Sequence, residues 1–262
     1  MQIITAMKRF FLLRRRTSPR SARNKKRHGV WRRAQLRKKL NAIFRRVGPG
    51  VVKRRGVNIT EVFDALDRVP DAGAVFSLRL CVALPVDGDP TASMNFSGGV
   101  KAGHTFLVVG KEREGVCTMR AFGFYPATRL SVWSPLDPYP SMIRDNRRHL
   151  VHAWLEMPIT ALDFEVVRAL AIAGAWSAYR LLSFNCAGYA VEVFNSVRAE
   201  PVVLPPYAVQ CWGVPIGYNR LPSRKQIIIP HTPQGLFLAI RSMVAAGIPG
   251  AHLAPGIGYG LT

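Results

Sequence analysis

The distribution of charge along the 262 residues constrains the fold of this chain more than any other feature. Lys and Arg together number 37, against 15 Asp and Glu. Twenty of the basic residues and none of the acidic ones fall in residues 1–55, which leaves 17 basic and 15 acidic residues for the rest. A segment with so much self-repulsion and so few apolar side chains cannot build a core of its own. We therefore expect a flexible or amphipathic basic arm over residues 1–56, a nearly neutral folded domain over 57–245 and a loose Gly/Pro-rich tail over 246–262.

The arm is suited to an anionic surface. Val30–Val47 carries Trp31, Leu36, Leu40 and further apolar residues at roughly helical spacing between basic clusters, a pattern typical of a helix that forms on lipid or nucleic acid. A run of like charge is just as compatible with a solvated targeting tail. Both interpretations stay open.

Neither a membrane span nor a standard signal peptide is expected. The apolar patch Phe10–Leu13 is too short for either. An Arg-rich, acid-free N-terminus is also typical of mitochondrial transit peptides. We expect synthesis in the cytoplasm, with export as an effector as one further possibility.

The cysteines give no sign of a metal centre. Cys81, Cys117, Cys186 and Cys211 lack the close Cys/His spacing of zinc sites, so no metal and no cofactor is expected. Cys81 and Cys117 fall in apolar strand patterns, where free cysteine commonly serves as a small apolar filler.

Periodicity predicts helices and strands mixed along the chain, the α+β class. A charged turn, Lys111–Gly115, joins two apolar segments that should pair antiparallel. Residues 127–148 contain several prolines and are expected to be irregular. The expected helices are 61–68, about 161–176, 186–197 and 234–245, and the expected strands 75–84, 105–109, 117–124, 150–157 and 226–229. The helix-start signals are Thr60 as a cap, Thr160 with Asp163 as a capping box, and Thr232-Pro233, which makes His231 a residue of the helix entry.

Two residues stand out as candidates for nucleophilic chemistry. Cys186 opens the apolar helix that follows Ser183-Phe184-Asn185, where free backbone N–H groups and the helix dipole favour a thiolate and lower the thiol pKa. His104 stands at the start of the apolar strand GHTFLVV and could act as the general base. Cys186 and His104 are therefore the predicted catalytic pair.

This order of motifs, a Gly-His strand, a second strand ending in Gly-Phe-Tyr-Pro, a helical spacer and Asn-Cys at a helix start, resembles circularly permuted papain-like cysteine hydrolases of the NlpC-type superfamily. Relatives in that superfamily include peptidoglycan peptidases, lecithin:retinol acyltransferase-like enzymes and bacterial toxic effectors. The resemblance spans about residues 75–243. It implies a papain-like fold in which an antiparallel sheet packs against the helix that carries the nucleophile Cys186, with His104 as the base.

The third catalytic residue does not follow from the resemblance, because the strand after His104 offers only Arg120 and Tyr125. Tyr125 and Asn185 are candidates for orienting the base or holding the oxyanion, although Asn185 also suits a plain turn-capping role.

The function that the resemblance implies is a cysteine peptidase or amidase. It would act on a peptide, peptidoglycan or acyl substrate, and an immunity protein would be a partner if the chain is a toxin. Two alternatives stay open. One is a lipid-directed thiol acyltransferase or lipase, and the other is a basic nucleic-acid-binding protein that uses the fold as a scaffold.

Removal of residues 1–55 should separate binding from folding. We expect the shortened protein to keep its melting temperature, because the arm contributes little to a core. Binding of the full chain to anionic vesicles or nucleic acid should fall steeply as salt rises and should disappear on truncation. Thermal melts and a salt titration of both proteins check this, and a shortened protein that fails to fold would contradict it.

Overall fold

The computed structural model describes residues 56–85, 89–91, 103–128, 130, 137–211 and 225–254. The basic arm and residues 255–262 lie outside the described residues. Twelve elements follow in chain order: α1 (Ile59–Asp67), β1 (Val75–Ala83), β2 (His104–Arg113), β3 (Val116–Pro126), β4 (Ser141–Asp145), β5 (Ala153–Ile159), α2 (Ala161–Ala175), α3 (Cys186–Asn195), β6 (Tyr207–Cys211), β7 (Lys225–Ile229), α4 (Pro233–Ala245) and β8 (Ala251–Leu253).

Six strands form one antiparallel sheet in the order β4-β3-β2-β1-β5-β8, and β6 and β7 pair as a separate two-stranded sheet. With helices packed against the larger sheet, the architecture agrees with the expected α+β class. β1 and β2 lie in the middle of the sheet, and the first eight residues of β2 are all buried. Burial on both faces explains why residues 106–109 of this strand are all apolar instead of alternating with polar residues.

The hairpin between β2 and β3 confirms the predicted antiparallel pairing. Arg113 lies opposite Val116, which leaves Glu114 and Gly115 as a two-residue loop. Both loop residues have positive φ, 53° and 78°. That combination is the type I′ turn, whose twist matches the twist of the paired strands.

The larger hydrophobic core lies between one face of the sheet and the helices. Phe63 of α1 packs edge-on against Phe122 of β3, with ring centroids 5.7 Å apart, and against Phe164 of α2 at 5.8 Å. Phe124 of β3 stacks on Tyr189 of α3 at 4.9 Å. Burial of each such ring is worth about 1.5–3 kcal/mol, so these contacts hold three helices on the sheet.

The helix starts agree with the sequence signals at two of three sites. Thr160 and Asp163 form a capping box at α2, and Thr232 caps α4 with Pro233 as its first residue. At α1 the expected cap was Thr60, but the side chain of Asn58 accepts the Thr60 N–H and the helix begins two residues earlier than predicted. Asn is as good an N-cap as Thr or better, which explains the shift.

Three strands arise where none was expected. β4 forms within residues 127–148, β6 forms ahead of the expected strand β7, and β8 forms within the tail that was expected to be loose. Each is short: β4 and β8 join the edges of the larger sheet, on β3 and β5, and β6 pairs with β7. Such strands depend on hydrogen bonds to a neighbour distant in sequence, so local patterning predicts them poorly.

The chain reaches β8 through two glycines with positive φ. Gly247 (φ 69°) ends α4 in a Schellman motif, in which the Ile248 N–H donates to the Met243 carbonyl at 2.9 Å. Gly250 (φ 78°) lies against β5, and a Cβ added there would be 2.0 Å from the carbonyl oxygen of Glu156. Nothing lies within 4 Å of a Cβ added at Gly247.

Within the described residues, no helix has both the length and the apolar composition needed to cross a membrane.

These glycines form a matched pair for testing whether β8 belongs to the fold. Gly247→Ala should cost about 1–2 kcal/mol from backbone strain alone. Gly250→Ala should cost clearly more, because its methyl group also collides with the β5 backbone, and it should expose the β5 amides to hydrogen exchange. Urea unfolding and hydrogen exchange of both variants measure this. Equal losses would show that β8 does not pack on β5 as described.

Candidate active site

Asn185 holds the start of α3 in place. Its side-chain oxygen accepts the N–H groups of Ala187 at 2.9 Å and Gly188 at 3.1 Å. Its side-chain nitrogen donates to the carbonyl oxygens of Leu181 and His231, both at 2.8 Å. Oxygen and nitrogen are therefore both engaged within the protein. Asn185 caps the helix, as the turn-capping interpretation predicts, and also ties α3 to the loop before α4.

Cys186 is the first residue of α3, and its side chain is 6% exposed. Burial raises the pKa of the Cys186 thiol above its usual value, while backbone hydrogen bonds from Thr105 and Ala187 and the hydroxyl of Tyr179 act in the opposite direction. The sequence led us to expect a lowered pKa from the helix start. That expectation is wrong for this state of the protein, because loss of hydration outweighs the nearby donors.

His104 begins β2 and is also buried, at 6% exposure. Its ring stacks on Tyr125, with centroids 4.0 Å apart, and lies 6.0 Å from the ring of Phe106. Burial lowers the pKa of His104 well below its ordinary value, and His149 and Arg144 lower it further. The imidazole is therefore neutral near pH 7, and its low pKa makes it a weaker proton acceptor than an ordinary histidine.

Side chains alternate between the two faces of β2, and this alternation sets the surroundings of the His104 ring. Leu107 belongs to the large core that includes Tyr189 of α3, whereas Phe106 belongs to a smaller cluster on the opposite face. The His104 ring lies with Phe106. The Cys186 thiol lies at the start of α3, against the backbone N–H of Thr105. In the described state each has other partners. Their catalytic pairing stays a prediction.

A polar cluster surrounds the imidazole of His104, and we call it the histidine cluster: His104, Tyr125, Asn146 and His149. The Asn146 side-chain nitrogen donates to the Tyr125 hydroxyl at 2.6 Å, and the two histidine rings lie 5.3 Å apart. His104 Nε2, Asn146 Oδ1 and His149 Nδ1 are buried and have no hydrogen-bond partner among the described residues. Tyr125, predicted as an orienting residue, thus lies directly against the predicted base.

Gly123 makes the close approach within this cluster possible. A Cβ added there would be 2.4 Å from His104 Nε2 and 2.8 Å from Asn146 Oδ1. Asn146, which follows the unexpected strand β4, was not among the residues predicted from the sequence. A glycine in the interior of a strand, between Phe122 and Phe124, was the available signal, because such a glycine often marks close packing.

A second imidazole lies on the α3 side of the sheet. A Cβ added at Gly188 would be 3.7 Å from His231 Nδ1, and the His231 carbonyl accepts a hydrogen bond from Asn185. His231 Nδ1 is buried and has no hydrogen-bond partner within the described part of the chain. His231 was considered only as a residue preceding α4, and the structure places it beside the first turn of α3.

The other described cysteines do not form a site. Cys81 is buried, and burial raises the pKa of its thiol to about 12, while Cys117 is exposed near the hairpin tip. Neither forms a disulfide. Among the described residues, no group of three or more His, Cys, Asp or Glu is arranged to hold a metal ion.

In comparisons with known proteins, no family model, curated sequence or solved structure matches the chain.

The lowered histidine pKa values predict a loss of stability in acid. An unfolded histidine takes up a proton near pH 6.5, whereas folded His104 resists protonation until well below that pH. The unfolded state therefore binds more protons below about pH 6.5, and stability falls as pH decreases, by up to about 1.4 kcal/mol per pH unit for each such group. His149, with a pKa also lowered by burial, adds to the effect.

The check is urea unfolding at several pH values from about 7.5 to about 5, a range that brackets the ordinary histidine pKa. His104→Gln should flatten the dependence of stability on pH, whatever its effect on stability at pH 7.5. His252→Gln changes an exposed histidine and serves as the control. A slope unchanged by His104→Gln would contradict the assigned burial of this imidazole.

Proposed function

We propose that this chain is a papain-like cysteine hydrolase in which Cys186 attacks the acyl carbon of an amide, in a peptide or a peptidoglycan-type substrate. The observation that carries the proposal is the location of Cys186. It is the first residue of a capped helix that packs against an antiparallel sheet, and its sulfur lies against backbone N–H groups. Donors at this location stabilise negative charge on sulfur once the thiol loses its proton.

The chemistry would proceed by acyl transfer to sulfur. An imidazole takes the thiol proton, sulfur bonds to the carbonyl carbon, and the carbonyl oxygen becomes an oxyanion. The amine then leaves with the proton, and water hydrolyses the thioester. Asn185 already engages the N–H groups of Ala187 and Gly188, so the first-turn donor left for the oxyanion is the N–H of Cys186 itself.

Two histidines compete for the role of base. The resemblance assigns it to His104, whose lowered pKa keeps it neutral but makes it a weaker base than an ordinary imidazole. Its ring lies on the face of β2 that carries Phe106 and stacks on Tyr125. His231 lies beside the first turn of α3, near Gly188. The experiment therefore includes both.

The test is acyl-enzyme trapping. The full-length protein is incubated separately with p-nitrophenyl acetate, a peptide anilide, purified peptidoglycan fragments and phosphatidylglycerol vesicles, and adducts are located by peptide mass spectrometry. We expect an adduct on Cys186 with the ester, the anilide or the peptidoglycan fragments. Cys186→Ala should abolish turnover, whereas Cys81→Ala and Cys117→Ala should leave it unchanged. Replacing the residue that acts as the base should slow turnover by about 10²–10⁴-fold, so a comparison of His104→Ala with His231→Ala identifies the base.

Two results would count against the proposal. Full turnover in Cys186→Ala would exclude this residue as the nucleophile. An adduct on Cys186 with the vesicles alone would instead identify the lipid-directed acyltransferase or lipase that the sequence left open.

A further inference from the structure

The outer face of α2 carries a row of exposed apolar side chains. Leu162 is 75% exposed, Val166 is 37% exposed and Trp176, the C-cap residue, is 85% exposed. Ala169 and Ala173 between them are exposed as well. We call these five residues the α2 seam. Glu165 and the half-buried Arg168 flank the seam, which itself contains no charge.

The spacing of the seam is that of a helix–helix contact. Its members follow one another at intervals of four, three, four and three residues, the pattern of paired helices. The opposite side of α2 is already used, because Phe164, Val167 and Ala171 are buried in the core. A helix that is apolar on both sides is normally covered on both sides.

We propose that the α2 seam is a self-association surface, on which α2 of a second copy of this chain packs in antiparallel orientation about a two-fold axis. The sizes of the seam residues favour a second copy of this chain as the partner. Small residues, Ala169 and Ala173, occupy the middle, and the largest, Leu162 and Trp176, lie at the two ends. Two such helices approach closely at their alanines, and the large side chains of each cover the ends of the other.

Charge is compatible with this arrangement. With Ala169 on the two-fold axis, the flanking Glu165 of one copy lies level with Ala173 of the other, so the two carboxylates do not meet. Antiparallel packing also sets the two helix dipoles head to tail, whereas parallel packing would align them. A cavity of about 250 Å³ beside the C-terminal half of α2, lined by Leu170, Gly174 and Phe184 among others, offers space for an aliphatic side chain from the facing copy.

The size of the seam predicts a weak dimer. The 15 residues of α2 extend about 22 Å, and one helix face covers only part of the roughly 800 Å² per partner of a typical stable interface. The net charge of +22 opposes association further at low salt. We therefore expect a dissociation constant above about 1 μM, with tighter association as salt rises.

The experiment is analytical ultracentrifugation of the full-length protein from about 1 to 500 μM, a range that brackets a weak dimer. Wild type should convert from monomer to dimer. Ala169→Glu places like charges close together near the two-fold axis and should leave the protein monomeric, as should Ala169→Lys. An equimolar mixture of the two variants should dimerise again. Val116→Glu adds the same charge at an apolar site that is 66% exposed on the hairpin, and it should not change association.

The mixture distinguishes a lost interface from a folding defect. A variant that had lost its fold would not regain the ability to dimerise when the other variant is added. Three outcomes would overturn the proposal: wild type that stays monomeric throughout, a dimer that persists in both Ala169 variants, or a mixture that stays monomeric. Phosphatidylglycerol vesicles are added in a parallel series. Vesicle binding that Ala169→Glu abolishes, with wild type monomeric in solution, would assign the seam to lipid instead.

Discussion

Four hydrogen bonds made by one side chain, two accepted and two donated, fix the geometry around Cys186. Asn185 engages two N–H groups of the first turn of α3 and two carbonyl groups, one from Leu181 and one from the loop before α4. The side chain is 5% exposed, and these bonds leave its amide donors and its oxygen paired. Loss of any one partner would leave a buried polar group unsatisfied, at a cost of about 1–3 kcal/mol. The direction of α3, and with it the location of the sulfur, follows from this arrangement.

The same central strand supplies both halves of the candidate site. The backbone N–H of Thr105 contacts the Cys186 sulfur, and the side chain of the preceding residue, His104, joins the histidine cluster. A shift of one residue in the register of β2 would exchange these roles. Pairing of β2 with β1 and β3 along most of its length holds the register as described.

Burial sets the electrostatics of both groups. It raises the pKa of the Cys186 thiol and lowers that of the His104 imidazole, so each is neutral in this state. Neutral partners avoid the cost of a buried charge before substrate arrives. For the proposed hydrolase, the thiolate would form only as a base takes the proton of the Cys186 thiol.

Much of the architecture follows from local signals in the sequence. The positive-φ turn at Glu114-Gly115, the capping box at Thr160 and the apolar runs predicted the hairpin, α2 and the α+β class, because each depends on residues near one another in the chain. Cys186 was likewise predicted at a helix start, and α3 begins there.

Tertiary structure decided the features that depend on contacts between residues distant in sequence. β4 and β8 exist through hydrogen bonds to β3 and β5, and the histidine cluster forms because Gly123 lets Asn146 and His104 approach across neighbouring strands. The sequence by itself determined that Cys186 opens a helix and His104 opens a strand. Only the packed structure decided which face of β2 the His104 ring occupies and how deeply both residues are buried, because facing and burial depend on the register of the whole sheet and on the helices packed against it.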